Sequence, residues 1–346
     1  MHRFHPDATT LAYRLLLILP AFGVAPAAAW PPAGSDIAPW IQGYSDRNEL
    51  VPQLPVGHYK LGSTITLPRR NGGRLVGAGA VSPRANSTHR GPGTILEYTG
   101  PRDEPAITVT GSNWKIGSFA LTGVPRKSDA PRPSIGLLVT KTARGVGTGK
   151  HTLDDLHVSN FQTAIRCGLS GAEHNNDHIG YEHLVIENCD RGLFIENHQS
   201  MGHFIDRLEC RRTGVAIEFK GGGILHCKNW FLVGNNATLL KISDGGKYSP
   251  GSNNNLFVLT GGKVDAQHDG HLTLIDVDHR SSRAVIKVNE TMVSGPVPWT
   301  LVDSDSDKVQ VVIDTVLSPA AVVHAKGGKV HQQGFNRLNL RGEEIK

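Results

Sequence analysis

The chain has 346 residues, of which 19% are charged and 6% aromatic, with 40 glycines and clustered asparagines. This composition excludes helical bundles, which draw on Ala, Glu, Lys and Leu, and favours short strands separated by many turns. The formal charge of +5 is mild and no Lys/Arg run stands out, so nucleic acid is not an expected partner, whereas an acidic glycan is compatible.

Residues 1–29 are predicted to be a secretory signal. Arg3 and Arg14 form the charged flank, Leu15 to Val24 the apolar run, and Ala27-Ala28-Ala29 the small residues at the cleavage positions. The run is shorter than the roughly 20 apolar residues a bilayer span needs, and Pro20 and Gly23 interrupt it. The expectation is therefore a chain cleaved after Ala29, secreted or periplasmic, with no membrane span and with residues 30–346 as one domain. Loss of Arg3, Arg14 and Asp7 removes a net +1, leaving about +4.

The next segment reads Leu54-Pro55-Val56-Gly57-His58-Tyr59-Lys60-Leu61, then Thr64-Ile65-Thr66-Leu67-Pro68, then Leu75-Val76-Gly77-Ala78-Gly79, with Thr94 to Tyr98 as the following strand. This pattern resembles the opening coils of the pectate-lyase-like β-helix superfamily. The resemblance implies a right-handed parallel β-helix and a short N-terminal helix capping the core. Asp36 to Gln42 is the candidate cap, with Asp36 at its N-terminus and Trp40 facing the core. Members of the superfamily include polysaccharide lyases, hydrolases, epimerases, tailspike depolymerases and non-catalytic proteins, so the likeness carries fold rather than chemistry.

A loose internal repeat follows. The segments 153–160, 181–188, 205–212 and 228–235 each alternate apolar and polar residues, and Leu156, Leu184, Leu208 and Phe231 fall 28, 24 and 23 positions apart. A second strand follows each, at 164–167, 192–195, 214–217 and 238–242. Asn160, Asn188 and Asn235 lie between the strands, where local hydrogen bonding and tolerance of left-handed backbone suit a stacked turn; Arg212 breaks that series. A unit of this size cannot bury its apolar face alone, and stacking closes a continuous core. The predicted fold is all-β, a single-stranded right-handed parallel β-helix in which Leu156, Leu184, Leu208 and Phe231 form one core column. A β-sandwich would require tight two-residue hairpins, and the connections here are longer.

Strict alternation then gives three outward columns: Asp155, His183, Arg207, Trp230; His157, Val185, Glu209, Leu232; and Ser159, Glu187, Arg211, Gly234. His183, Glu187, Arg207, Glu209 and Arg211 gather there as candidate catalytic residues, with Trp230, Asp155 and His157 as substrate-binding neighbours. For β-elimination on a uronate, Arg207 and Arg211 would clamp the carboxylate, His183 would be the base, and Glu187 and Glu209 would orient the arginines. Trp230 would stack on a sugar ring. The plainer reading is a set of solvated ion pairs.

Hydrolase signatures are incomplete: Asp154-Asp155 and Gly202-His203 occur, but no Arg-x-Lys accompanies them. His151, His178, His203 and His226 recur before the register residues and suggest either a bend ladder or metal ligands. The loop Asp303-Ser304-Asp305-Ser306-Asp307 could hold Ca²⁺, although it lacks the Gly and Glu of a helix-loop-helix site. No cofactor is otherwise implied. Cys167, Cys189, Cys210 and Cys227 fall at four different places around the coil and should remain unbridged. The expected function is an exported lyase on an acidic polysaccharide, with a non-catalytic glycan-binding protein and a glycoside hydrolase as alternatives.

Overall fold

A computed structural model describes residues 30–68, 71–81, 92–123, 131–141, 148–169, 176–196, 200–220, 223–234, 237–243, 255–266, 271–278, 284–294, 299–306, 308–318, 329–333 and 336–337. The expected signal segment and Asn235 lie outside these residues. Residues 31–346 form one compact unit. Its strands pair in parallel, each with the equivalent strand one coil on. One sheet runs from Gly57–Leu61 through Thr94–Tyr98, Ser112–Thr122, Thr152–Ser159, Ile179–Glu187 and Ser200–Arg211 to Lys329–Gln333. A second runs from Ile65–Leu67 through Thr163–Cys167, Arg191–Ile195 and Val215–Phe219 to Trp299–Ser304. This is the single-stranded right-handed parallel β-helix that the repeat implies.

Stacked apolar side chains hold the coils together. Ile165, Leu193, Ile217, Leu240, Ile275 and Val302 follow one another in register and are all buried. Leu156, Leu184 and Leu208 form the opposite column as predicted. Its fourth member is Trp230, not Phe231. Phe231 pairs with Glu209 and faces outward, while Trp230 is 1% exposed. The indole lies over Gly262 of the next coil, where a Cβ would come within 1.9 Å of the ring.

The slip is one of register, since Trp230 follows Asn229 as Leu156, Leu184 and Leu208 follow Asp155, His183 and Arg207, the residues of a left-handed ladder. Ser118, Asp155, His183, Arg207, Asn229, Gly261 and Glu290 occupy the same coil position and all have φ between 48° and 68°. Such a residue bends the strand into two arms and breaks the period-two alternation, as a bulge does. Two successive side chains then face solvent: Glu182 with His183, and Asp206 with Arg207. A second ladder, at Asn160, Asn188 and Arg212, makes the turn to the next strand. There the Asn188 amide donates to the Asn160 side-chain oxygen, and Arg212 adopts the same backbone without the asparagine.

The capping helix spans Ala38–Asp46, later and longer than the sequence suggests, with Ile37 rather than Asp36 at the N-cap. Asp36 Oδ1 instead accepts from the backbone N–H groups of Ala38 and Gly62, each at 3.0 Å, tying the helix to the first coil. Ile37 and Ile41 are fully buried and Trp40 packs against the core in part. No helix among the described residues is long and apolar enough to cross a membrane. The four cysteines are free and buried, and burial pushes the Cys167 and Cys189 thiols up to about 12.

Candidate functional site

On the arm that follows the bend, the strands Thr152–Ser159, Ile179–Glu187 and Ser200–Arg211 lie side by side. Their outer face holds a cavity of about 120 Å³. Asp155, His157, His183, Glu209 and Arg211 line it, with Val185 and Ala80 among the apolar contacts. Five of the eight residues singled out in the sequence therefore meet in one groove.

Asp155 and His183 form a polar pair across neighbouring coils in it. Each sits at the left-handed bend, a conformation that Asp, Asn and His adopt more readily than other non-glycine residues. His183 Nδ1 lies 3.1 Å from Asp155 Oδ1. A carboxylate only accepts, so the imidazole donates from Nδ1. In the neutral ring Nε2 then carries the lone pair, and it has no partner among the described residues. The second Asp155 oxygen accepts from the Ala80 backbone N–H at 3.2 Å. Ala80 reaches that place because Gly77 and Gly79 run against the third coil, donating to Gly117 and Ser118 carbonyls. A Cβ at Gly77 would come within 2.4 Å of the Ser118 oxygen. The pair remains open to solvent, with side chains 46% and 34% exposed.

The remaining predicted residues divide. Glu209 and Arg211 are on the groove wall but bind each other on one strand. Arg207 is exposed one coil beyond His183, outside the groove lining, and makes no ion pair among the described residues. The expected two-arginine clamp is therefore not formed, since Arg211 is already engaged by Glu209. Glu187 is not on the open face at all: it is 2% exposed, its Oε1 accepts from Arg212 Nη2 at 2.7 Å, and Oε2 lies 3.4 Å from His157 Nε2. Trp230 is core and offers no platform. The outward-facing aromatics nearby among the described residues are Phe231, which is partly exposed and follows Glu209 in the outward column, and Phe204, which is exposed and stacked on His226 at 5.6 Å on the other arm. Asn229, a residue type at home in left-handed backbone, is the sequence signal that would have placed Trp230 inside.

The histidine series does not form a metal site. His151 and His203 point inward, 2% and 0% exposed, with Ile179 between them in the column, while His178 is exposed and His226 faces outward. Among the described residues no group of His, Cys, Asp or Glu is arranged to hold a metal ion. In the acidic loop Asp303 and Asp305 face outward, whereas Ser304 and Ser306 are buried and bond to each other; Asp307 lies outside the described residues. The hydrolase-like dipeptides also separate: His203 is in the core and Asp154 pairs with Lys115.

No protein-family model and no curated protein sequence matches the chain. Solved structures do. DFA-IIIase from Arthrobacter chlorophenolicus A6 is 12% identical over 88% of this chain and 85% of its own, with a TM-score of 0.49. The catalytic domain of a GH87 α-1,3-glucanase in complex with nigerose is 12% identical over 87% and 67%, with a TM-score of 0.48. ORF18 of Geobacillus virus E2 is 14% identical over 88% and 58%, with a TM-score of 0.42. At these identities the likeness is one of fold.

Proposed function

We propose that the groove binds an extended uronate-containing polysaccharide and cleaves it by β-elimination, outside the cytoplasm after loss of residues 1–29. The observation that carries this reading is the solvent-open Asp155–His183 pair with the uncommitted Arg207 on the next coil. Arg207 pairs with the substrate carboxylate and makes the adjacent C5 proton acidic. His183 Nε2 takes that proton, and Asp155 fixes the ring and stabilises the imidazolium. The C5 electrons form the C4–C5 double bond and the C4–O bond breaks. The leaving oxygen takes its proton from the imidazolium or from water at the open groove mouth.

A hydrolase is the second reading, because Asp155 and Glu209 line the same groove. Their strands are two coils apart, about 10 Å at the strand spacing, near the upper end of inverting carboxylate separations. Both carboxylates, however, already accept: Asp155 from His183 and Ala80, Glu209 from Arg211. Asp155 accepts on both oxygens, whereas both Arg211 contacts go to Glu209 Oε1, so a proton on Glu209 Oε2 would leave them in place.

The test is a panel of polygalacturonate, alginate, a glucuronate polymer and a neutral α-glucan, followed for unsaturated-product absorbance and for reducing ends together. Elimination yields both signals on a uronan. Reducing ends without the absorbance support the hydrolase, and silence in both channels on every polymer overturns both readings.

A further inference from the structure

The column that begins in the groove continues beyond it. His157, Val185 and Glu209 are followed in register by Phe231 and then Lys263. Phe231 is partly exposed and Lys263 is exposed. Lys263 Nζ lies 5.8 Å from the centroid of the Phe231 ring. Asp265 points to the same side two residues on, yet the ammonium sits over the ring and makes no ion pair among the described residues.

We infer that Phe231 and Lys263 form a second uronate subsite, so that the substrate is a run of consecutive uronates lying along the stack of coils. Two arguments carry it. An apolar ring and a cation on adjacent coils match the two sides of a uronate: the CH face of its pyranose takes the ring, and the ammonium that lies over the ring in the free protein turns to the carboxylate. The spacing also matches. Coils repeat at about 4.8 Å, close to the length of one pyranose residue, so a chain with one sugar at His183 and Arg207 brings a later sugar over Phe231 with its carboxylate towards Lys263. The subsite rests on the proposed function for its ligand class, but not on the elimination chemistry.

Binding therefore tests it separately from cleavage. Dimers and hexamers of galacturonate, guluronate and mannuronate are titrated calorimetrically into the wild type, Phe231→Ala and Lys263→Gln, with cleavage followed in parallel. Lys263 is exposed, so its variant keeps the test intact if Phe231→Ala fails to fold. The expected result is that the variants lose about tenfold in affinity for the hexamer they bind best and little for the dimer. Variants that match the wild type on both lengths, or lose equally on both, overturn the subsite. A wild type that binds no oligouronate overturns the subsite and the proposed function together. Length-dependent binding without cleavage overturns the elimination while upholding the subsite.

Discussion

Three neighbouring coils carry two columns four residues apart: His151, Ile179 and His203 facing inward, and Asp155, His183 and Arg207 at the bend. In the first, histidine is a core residue. Burial pushes His151 down to about 4 and His203 to about 3. His151 Nδ1 accepts from the Trp114 backbone N–H at 3.3 Å, and His203 Nδ1 lies 3.0 Å from the Tyr181 hydroxyl. In the second, His183 stands in solvent on a carboxylate. Residue type is common to both columns, so backbone conformation decides what a histidine can do. A left-handed φ at 183 turns its ring out beside Glu182, whereas extended backbone at 203 turns the ring in.

The contrast is broken most severely in the core. Trp230→Ala should cost about 3–5 kcal/mol, measured by urea unfolding, because Gly262 cannot fill the space; a surface tryptophan would cost far less. Acid acts on the inward column next. The unfolded histidines titrate near 6.5, above their folded values, so the unfolded chain binds more protons as pH falls. Stability from these groups is complete above about pH 6.5 and is lost from there down towards pH 4 and 3, by roughly 3 kcal/mol for His151 and somewhat more for His203. Melting temperatures measured across this range check it, and His203→Phe should flatten the slope. Asp155→Asn should lower kcat on a cleaved uronan by about 10- to 100-fold with the fold unchanged, a loss of roughly 1.4–2.7 kcal/mol, because an amide holds the imidazole less firmly. Arg211→Ala should change stability by less than about 1 kcal/mol, since its pair with Glu209 is partly exposed.

Much of the architecture was legible because the coil repeats. The spacing of Leu156, Leu184 and Leu208 and the asparagines at 160 and 188 announce stacked strands and turns, and the structure keeps all five in those roles. The groove was legible in part: Asp155, His157, His183, Glu209 and Arg211 do meet. What failed was the assumption of unbroken alternation. The left-handed residue at 229 matches those at 155, 183 and 207, so the residue after it, Trp230, takes the inward place of Leu156, Leu184 and Leu208, and Phe231 turns outward. Glu187 fails for a related reason: it precedes the Asn188 turn, where Arg212 and His157 close over it. The Ala80 N–H on Asp155 comes from a loop 75 residues away in sequence, and no local pattern encodes that contact.

The central claim, that the outward bend holds the chemistry and the inward column only the fold, is tested most directly by His183→Asn against His203→Asn in one assay. Asparagine tolerates the left-handed backbone at 183, so the first variant should melt like the wild type and lose at least about 100-fold in kcat on the best uronan. The second should melt lower yet turn over normally per folded molecule. If His183→Asn cleaves as well as the wild type, or His203→Asn abolishes turnover while remaining folded, the site has been assigned to the wrong column.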